Sequence, residues 1–353
     1  MFHPLRVSEV EQLTDDSVAV TFTVPPELRE TYRHTPGQHL ALRRTTRDGE
    51  EIRRTYSICA PATPAGEDPV LRVGIRLVDG GEFSTYALKE LTAGDVVEVM
   101  EPMGRFVLDP RPGHFAAVVG GSGITPVLSM AATLLAREPE ARFCLVRSDR
   151  TASSTMFLDE VADLKDRYPD RFQLVTVLSR EEQQSGLPSG RLDQDRITAL
   201  LPALLPVEDI DGWFLCGPFG LVQGAEQALR GLGVARGRIH QEIFHVDDGS
   251  APAPAATTGA PVHATLTATL HGRSGNWPVQ EGETLLDTVL RARADAPYAC
   301  KGGVCGTCRA LVTDGKADMR RNFALEPAEV DAGYVLTCQS YPVSETLTVD
   351  YDS

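Results

Sequence analysis

The sequence predicts an antiparallel β-barrel, then a doubly wound α/β sheet, then a small α+β module. Three observations predict this order. Residues 1–108 contain short strands separated by turns at about ten-residue intervals, which is typical of an antiparallel barrel. Residues 109–247 alternate strand and helix, which is typical of a doubly wound parallel sheet. Residues 262–353 follow a Pro-, Ala- and Gly-rich segment, 248–261, which predicts a flexible linker.

Composition narrows the classes of partner. The 353-residue chain carries a net charge of −15, which disfavours nucleic acid and anionic membrane surfaces as partners. We find no signal peptide and no apolar run long enough to span a membrane. Three isolated cysteines, Cys59, Cys144 and Cys216, indicate a reducing compartment rather than disulfides. We therefore expect a cytoplasmic protein.

Turn and strand signals place the individual elements. Turns are predicted in the barrel at Pro36–Gly37, Asp48–Gly49, Asp79–Gly81 and Pro102–Gly104. In the second domain, buried strands are predicted at 115–120, 143–146, 172–178 and 212–216, with helices at 126–137 and 156–168. The last module opens with an alternating strand at 262–270, returns through 277–279, and continues into a short helix from Thr284.

The four cysteines of the last module carry the most specific pattern. Cys300, Cys305, Cys308 and Cys338 have the C-x4-C-x2-C…C spacing of a plant-type [2Fe-2S] cluster. Glycines in the loop allow the backbone to fold closely around the cluster and to direct N–H groups at sulfur. A structural zinc site is the alternative, but such sites usually pair two Cys/His hairpins. Only one C-x2-C occurs here.

A second pattern lies on a predicted strand of the barrel. Arg54, Tyr56 and Ser57 offer a cation for phosphate, an aromatic face for stacking and a hydroxyl for a ring nitrogen. By itself the pattern also fits an ordinary surface strand. Its order along the chain favours a flavin site, because a second candidate phosphate-binding stretch follows, comprising Ile75, Arg76, Phe83 and Ser84.

A glycine-rich turn between a strand and a helix predicts the nucleotide site. Gly121 and Gly123 let backbone amides approach a phosphate near the helix N-terminus. Thr125 is expected to be the N-cap, with Pro126 at the first helical position. The turn is neither a Walker A loop nor a Rossmann fingerprint. Gly217 and Pro218 form a turn after another strand, at the edge where such sheets bind ligands.

These motifs resemble those of the ferredoxin-NADP reductase superfamily, with its Greek-key FAD barrel, NADP domain and, in some members, a β-grasp ferredoxin module. The matches are R-x-Y-S, G-x-x-S, G-G-x-G-I-T-P, C-G-P and E-x-F, although Phe219–Leu221 departs modestly after C-G-P. The resemblance implies that Arg54 and Ser84 face the FAD pyrophosphate, Tyr56 stacks on the isoalloxazine and Ser57 bonds near N5. It also implies that Cys216 lies beside the nicotinamide C4 and that Glu242 helps to position the redox centre. Phe244 either lies against the flavin or is an ordinary core residue.

The choice between NADPH and NADH rests on the ends of two strands. Arginines and serines there suit a 2′-phosphate: Ser148, Arg150, Ser179, Arg180 and Arg191. Asp149 favours NADH instead, since a carboxylate at this place binds the ribose hydroxyl. Leu192-Asp193 stands where similar reductases carry an aromatic residue. Solvated surface arginines are a further alternative. We favour NADPH.

The predicted mechanism is hydride transfer from NADPH to FAD, then single-electron transfer to the [2Fe-2S] cluster, then delivery to another protein. No ligand set for oxygen activation is present in the sequence, so substrate chemistry is assigned to a partner. The cysteine loop and the stretches 324–329 and 332–339 resemble the reductase components of the phenylacetyl-CoA epoxidase family, with the same domain order along the chain. The resemblance implies a di-iron epoxidase component as acceptor.

Two alternatives remain open. Reductases of 3-ketosteroid 9α-hydroxylases and of ring-hydroxylating oxygenases share this architecture. A non-catalytic four-cysteine metal module fused to a nucleotide sensor belongs to a different class. Bound iron with acid-labile sulfide, together with reduction of an artificial acceptor, distinguishes a reductase from such a sensor.

Overall fold

The computed structural model describes residues 1–46, 48–181, 190–245 and 264–353. It divides the chain into two compact units, Phe2–Ser250 and Ala251–Ser353. The predicted linker, 248–261, lies outside the described residues. Within the described ranges, no helix is long and apolar enough to cross a membrane.

The first part of the larger unit is an antiparallel barrel. Its sheet has the strand order β4-β3-β6-β1-β2-β5. An isolated bridge between Ile58 and Val73 brings the two end strands together. The elements are β1 (Phe2–Thr14), β2 (Ser17–Thr23), β3 (His39–Thr45), β4 (Glu51–Ser57), β5 (Leu71–Arg76), α1 (Glu82–Lys89) and β6 (Val96–Met100).

Alternation in the sequence determines which side chains fill the barrel. On β1, Leu5 and Val7 are buried, whereas the intervening Arg6 is exposed. Successive side chains of a strand point to opposite faces, so this pattern turns one face inward. Helix α1 was not among the predicted elements. It buries Phe83, Ser84 and Ala87.

The second part of the larger unit is a five-stranded parallel sheet of order β11-β10-β7-β8-β9. Its central strand β7 is buried along nearly its whole length, as expected for a sheet covered on both faces. The elements are β7 (His114–Gly120), α2 (Ile124–Arg137), β8 (Arg142–Asp149), α3 (Leu158–Arg167), β9 (Phe172–Leu178), α4 (Gln194–Leu204), β10 (Gly212–Pro218), α5 (Phe219–Gly231) and β11 (Ile239–His245).

The structure corrects two local predictions in this domain. Helix α2 begins at Ile124, not Pro126, because a 3-10 turn over Gly121–Gly123 leads directly into it. Thr125 is therefore not the N-cap, and its hydroxyl donates to the carbonyl of Ser122 (2.9 Å). The next helix begins at Leu158 rather than Met156, because Phe157 adopts a left-handed conformation.

A buried polar seam attaches α2 to the barrel. The Ser129 hydroxyl donates to the carbonyl of Ala60 (2.6 Å), and the Ala62 N–H donates to the Thr133 hydroxyl (2.9 Å). Both side chains are buried, so these hydrogen bonds satisfy groups that water does not reach. The seam fixes the relative position of barrel and parallel sheet.

The smaller unit contains a mixed sheet of order β13-β12-β18-β14-β16 and a two-stranded sheet, β15-β17. Strand β12 (Ala264–Leu270) alternates buried apolar residues with threonines, as the sequence predicts. Its buried residues are Ala264, Leu266, Ala268 and Leu270. Thr284 caps the predicted helix with a capping box. The elements are β12 (Ala264–Leu270), β13 (Arg273–Val279), α6 (Leu285–Leu290), β14 (Arg309–Asp314), β15 (Ala317–Met319), α7 (Pro327–Asp331), β16 (Tyr334–Leu336), β17 (Ser340–Pro342) and β18 (Thr346–Asp350).

The predicted fold class is confirmed in each part: antiparallel barrel, parallel α/β sheet and small α+β module. The exact domain bounds of 1–108, 109–247 and 262–353 stay predictions.

Candidate cofactor sites

The three predicted catalytic residues meet at one buried place. Cys216 on β10 and Glu242 on β11 are directly paired in the parallel sheet. Ser57, at the end of β4, donates from its hydroxyl to Oε2 of Glu242 (3.4 Å). Ser57 lies 185 positions before Glu242 in the chain. The barrel and the parallel sheet therefore contribute to a single site.

Burial sets the protonation of this site. The Glu242 side chain is only 13% exposed, and desolvation raises the pKa of its carboxyl to about 8. The pKa of the Cys216 thiol is also raised, first by burial and second by the nearby Glu242. At neutral pH the site accordingly holds a protonated carboxyl and a neutral thiol. Glu242 can thus hold or deliver a proton at its carboxyl oxygens.

His39 is a further member of this site that the sequence analysis missed. It is paired with Ser57 across β3 and β4, and its Nδ1 lies 3.8 Å from Oε1 of Glu242, beyond hydrogen-bond length. Burial lowers the pKa of His39 to about 4, so its ring is neutral. Its Nε2 is buried and has no hydrogen-bond partner among the described residues. In the sequence, His39 follows the predicted turn at Pro36–Gly37 by two positions, and this is the feature that could have indicated its role.

The buried Nε2 of His39, which has no hydrogen-bond partner among the described residues, allows a test of whether the site fits a bound flavin. A buried polar atom normally has a partner, and a heteroatom-rich ring at this place would supply one. Arg54 is exposed, and Tyr56 packs against Phe83 with ring centroids 5.6 Å apart. The residues around Ser57 therefore fit a flavin. The exposed cation is Arg54 and the half-buried aromatic ring is Tyr56.

Two residues of the second predicted phosphate-binding stretch, Ile75 and Ser84, make their contacts within the protein itself. Ile75 is fully buried in the barrel core. The Ser84 hydroxyl donates to the carbonyl of Gly81 (3.0 Å) and accepts from the N–H of Val78 (3.1 Å). These bonds shape the loop that precedes α1. The cofactor roles of this stretch, including Phe83, stay predictions.

Arg76 links the barrel to the nucleotide domain. Its guanidinium pairs with Asp16 (3.2 Å) and donates to the carbonyl of Ser154. A Cβ added at Gly121 would lie 3.1 Å from Nη1 of Arg76, so the guanidinium lies across the glycine-rich turn. Any phosphate held by that turn would therefore be near this cation.

The glycine-rich turn is pressed against the end of β10. A Cβ at Gly123 would lie 2.2 Å from the carbonyl oxygen of Cys216. A Cβ at Gly217, whose φ is +142°, would lie 2.9 Å from the carbonyl oxygen of Gly120. The start of α2 therefore lies close against the carboxyl end of β10. The cradle fits a pyridine nucleotide beside Cys216.

The sequence argument for NADH rests on Asp149, and the structure shows that the carboxylate of this residue is buried. The carboxylate of Asp149 pairs with Arg147 (2.8 Å), and both side chains are only 1% exposed. It does not project from the sheet edge where a ribose would bind. In contrast, Arg150 and Arg180 are exposed there and joined through a backbone hydrogen bond (2.9 Å). Ser148 and Ser179 are half-buried nearby, and Arg191 is exposed.

Phe244 is half-buried and packs against the same hydrophobic cluster that contains Cys216. Its role against a flavin stays a prediction. Pro218, in contrast, is the exposed last residue of β10, at the edge of the sheet.

The four cysteines of the smaller unit form two pairs. Cys305 donates to the sulfur of Cys300, which lowers the pKa of Cys300, and Cys308 does the same for Cys338. The N–H of Gly302 also donates to the Cys300 sulfur (3.3 Å). Within the described ranges, no three His, Cys, Asp or Glu side chains surround a single point. Two pairs of cysteine side chains and an amide directed at sulfur fit the two irons of a [2Fe-2S] cluster.

Neighbouring segments hold the cluster loop in place. Gln339 donates from Nε2 to the carbonyl of Lys301 (2.8 Å), and the Phe323 N–H donates to the carbonyl of Gly303 (3.0 Å). No disulfide joins any of the seven cysteines, all of which lie within the described residues. When bound, FAD exchanges an electron pair with a reduced pyridine nucleotide and single electrons with a [2Fe-2S] cluster.

Comparisons with known proteins agree with these sites. Three family models match: "Oxidoreductase FAD-binding domain" over residues 4–108, "Oxidoreductase NAD-binding domain" over 118–227 and "2Fe-2S iron-sulfur cluster binding domain" over 268–343. The phthalate dioxygenase reductase structure has a similar fold, with a TM-score of 0.59 at 24% identity, covering 99% of this chain and 98% of that one.

Two curated relatives match along the whole chain. A component of the 1,2-phenylacetyl-CoA epoxidase of Escherichia coli (strain K12) is 42% identical, covering 100% of this chain and 98% of the relative. The ferredoxin reductase component of the 3-ketosteroid-9-alpha-monooxygenase of Rhodococcus rhodochrous is 32% identical, covering 98% and 96%.

The fold and sites define an NAD(P)H-dependent oxidoreductase with FAD and a C-terminal [2Fe-2S] domain. The chain belongs to the ferredoxin-NADP reductase superfamily, in the family that contains the Escherichia coli relative. The predicted cofactor types and reductase class are thereby confirmed.

The raised pKa of Glu242 predicts a specific pH dependence of stability. In the folded protein the carboxyl has a pKa of about 8, against 4.5 for an ordinary glutamate. Its proton is held more tightly in the folded state, so this contribution is complete below pH 4.5 and is lost as pH rises toward 8. Relative to Glu242→Gln, the wild type should lose about 2–4 kcal/mol of unfolding free energy between pH 5 and 8.

Denaturant unfolding at several pH values, with FAD in excess, measures this difference. Glu140→Gln is the matched control, since it makes the same exchange at an exposed position. A pH-independent difference between wild type and Glu242→Gln would contradict the burial of an uncompensated carboxyl.

The close contact at Gly123 predicts a second outcome. The Gly123→Ala side chain has no room beside Cys216, so the turn must shift and the KM for pyridine nucleotide should rise by about tenfold or more. Gly220→Ala is the control, because its Cβ would have no neighbour within 4 Å. Steady-state kinetics with ferricyanide measures both, and equal KM values would refute the cradle.

Proposed function

We propose that this chain passes electrons from NADPH through FAD and its [2Fe-2S] cluster to the di-iron oxygenase component of a phenylacetyl-CoA epoxidase. The convergence of Ser57, Cys216 and Glu242, together with the two thiol pairs, supports the electron route. The 42% identity to an epoxidase component over the whole chain supports the acceptor.

The 32% identity to a 3-ketosteroid-9-alpha-monooxygenase reductase favours a second candidate acceptor. That relative covers the chain almost as completely, so domain content does not separate the two acceptors. The difference of ten percentage points in identity, 42% against 32%, is the observation that ranks the epoxidase first.

The buried ion pair supports NADPH as the donor. Because Arg147 holds the carboxylate of Asp149 inside the protein, the sheet edge presents cations rather than an acid. Arg150, Arg180 and Arg191 then suit the 2′-phosphate of NADPH, with Ser148 and Ser179 as further donors. Asp193 caps α4 by accepting from the Arg196 N–H (3.0 Å), so its carboxylate is also occupied.

The remaining site assignments belong to the same proposal. Arg54 and Ser84 would contact the flavin pyrophosphate, with Tyr56 at the ring face and Arg76 in the second phosphate-binding stretch. Gly121, Gly123, Thr125, Gly217 and Pro218 would line the nicotinamide side. We place the protein in the cytoplasm, because the three cysteines outside the cluster motif, Cys59, Cys144 and Cys216, form no disulfide, which suits a reducing compartment.

Arg180→Ala tests the donor assignment. Loss of a guanidinium–phosphate contact should raise the KM for NADPH by about tenfold while changing the KM for NADH little. Arg167→Ala is the control, since Arg167 is an exposed residue at the C-terminal end of α3. Equal effects of Arg180→Ala on both nucleotides would argue against a 2′-phosphate site.

Reconstitution tests the acceptor. The holoenzyme with NADPH should support epoxide formation by purified phenylacetyl-CoA epoxidase oxygenase components, and should support a 3-ketosteroid oxygenase far less. Ferricyanide reduction in the same samples reports whether the reductase itself is active. Turnover only with the steroid oxygenase, in samples that reduce ferricyanide, would reject the epoxidase assignment.

A further inference from the structure

Tyr351 follows the last strand of the smaller unit and lies far from the cysteine loop in sequence. Its ring packs against the core cluster that contains Cys308, Cys338 and Leu336. Its backbone N–H donates to the carbonyl of Thr269 (3.0 Å), which fixes the residue beside β12. Its hydroxyl donates to the hydroxyl of Thr337 (3.0 Å).

Thr337 connects this tyrosine to two cluster cysteines. It is fully buried and directly precedes Cys338. Its N–H and its hydroxyl both donate to the carbonyl of Cys308, at 3.0 and 2.9 Å. A continuous chain of hydrogen bonds therefore runs from Tyr351 to Thr337 to Cys308, and it joins both members of one thiol pair.

The direction of the bonds explains why a hydroxyl is needed at Tyr351. A threonine hydroxyl can donate one bond and accept others. Accepting from Tyr351 leaves the Thr337 proton free to point at Cys308, and consecutive hydrogen bonds strengthen one another in a buried place. A buried aromatic residue without such a partner could equally be phenylalanine.

We propose that Tyr351 is a positioning residue that, through Thr337, holds Cys308 and Cys338 in the geometry that retains the cluster. Its hydroxyl acts through Thr337 and through the backbone that presents the two thiols. Groups that orient metal ligands typically change metal retention when removed. This role concerns the cluster alone and is independent of the acceptor and of the nucleotide.

The test compares four variants of the full-length holoenzyme for loss of the cluster to an iron chelator, followed as bleaching of visible absorbance. Tyr351→Phe removes the first hydrogen bond of the chain, and Thr337→Val removes both bonds of the Thr337 hydroxyl. Each variant should lose the cluster about tenfold faster than wild type. Thr337→Ser keeps the hydroxyl and should lose it at a rate within about twofold of wild type.

Tyr334→Phe is the matched control. Tyr334 packs against the same core, and its ring lies under the guanidinium of Arg309 at 3.4 Å. Removal of the Tyr334 hydroxyl should leave the rate of cluster loss unchanged. The EPR spectrum of the reduced cluster should shift in Tyr351→Phe and not in Tyr334→Phe, and thermal unfolding shows whether each variant is folded.

Wild-type rates of cluster loss in Tyr351→Phe would overturn the proposal. Equal acceleration in Tyr351→Phe and Tyr334→Phe would also overturn it, since a general loss of core packing would then explain the effect. Faster loss accompanied by a parallel fall in melting temperature, with an unchanged EPR spectrum, would have the same meaning. Because all readouts are of the cluster itself, they stand even if the acceptor assignment fails.

Discussion

The buried carboxyl of Glu242 is the constraint on which the larger unit depends. It lies where the end of β4 in the barrel meets β10 and β11 in the parallel sheet, with Ser57 and Cys216 as neighbours. A charged carboxylate there would be costly, and its environment keeps it protonated at neutral pH. Neutral His39 and the neutral thiol of Cys216 are consistent with that state.

The polar seam between α2 and the barrel explains how this arrangement is held. Ser129 and Thr133 replace lost water contacts of the loop at Ala60–Ala62, and Arg76 spans the gap to the glycine-rich turn. Redox centres exchange electrons efficiently only when their partners are held in register. In the smaller unit, the four cysteines are arranged as two pairs. Hydrogen bonds from Gln339 and Phe323 hold the cysteine loop in place.

Sequence patterns predicted those parts that depend on local chemistry. Cysteine spacing identified the cluster, alternation identified β12, and the capping residue Thr284 identified the start of α6. The N-cap prediction for Thr125 was wrong because a preceding 3-10 turn, stabilised by contact with β10, begins the helix earlier. The ion pair between Asp149 and Arg147 was not predicted, because it is recognisable only when both side chains are known to face inward. His39 was missed because its meaning depends on Glu242, which is distant in sequence.

The most direct test of the electron route is anaerobic reduction of the holoenzyme by NADPH, followed by flavin absorbance and by EPR of the cluster. Transfer within the chain predicts that the flavin bleaches and that the signal of a reduced [2Fe-2S] cluster then appears, without any added acceptor. A flavin that bleaches while the cluster stays oxidised, or a protein that contains no cluster, would contradict it.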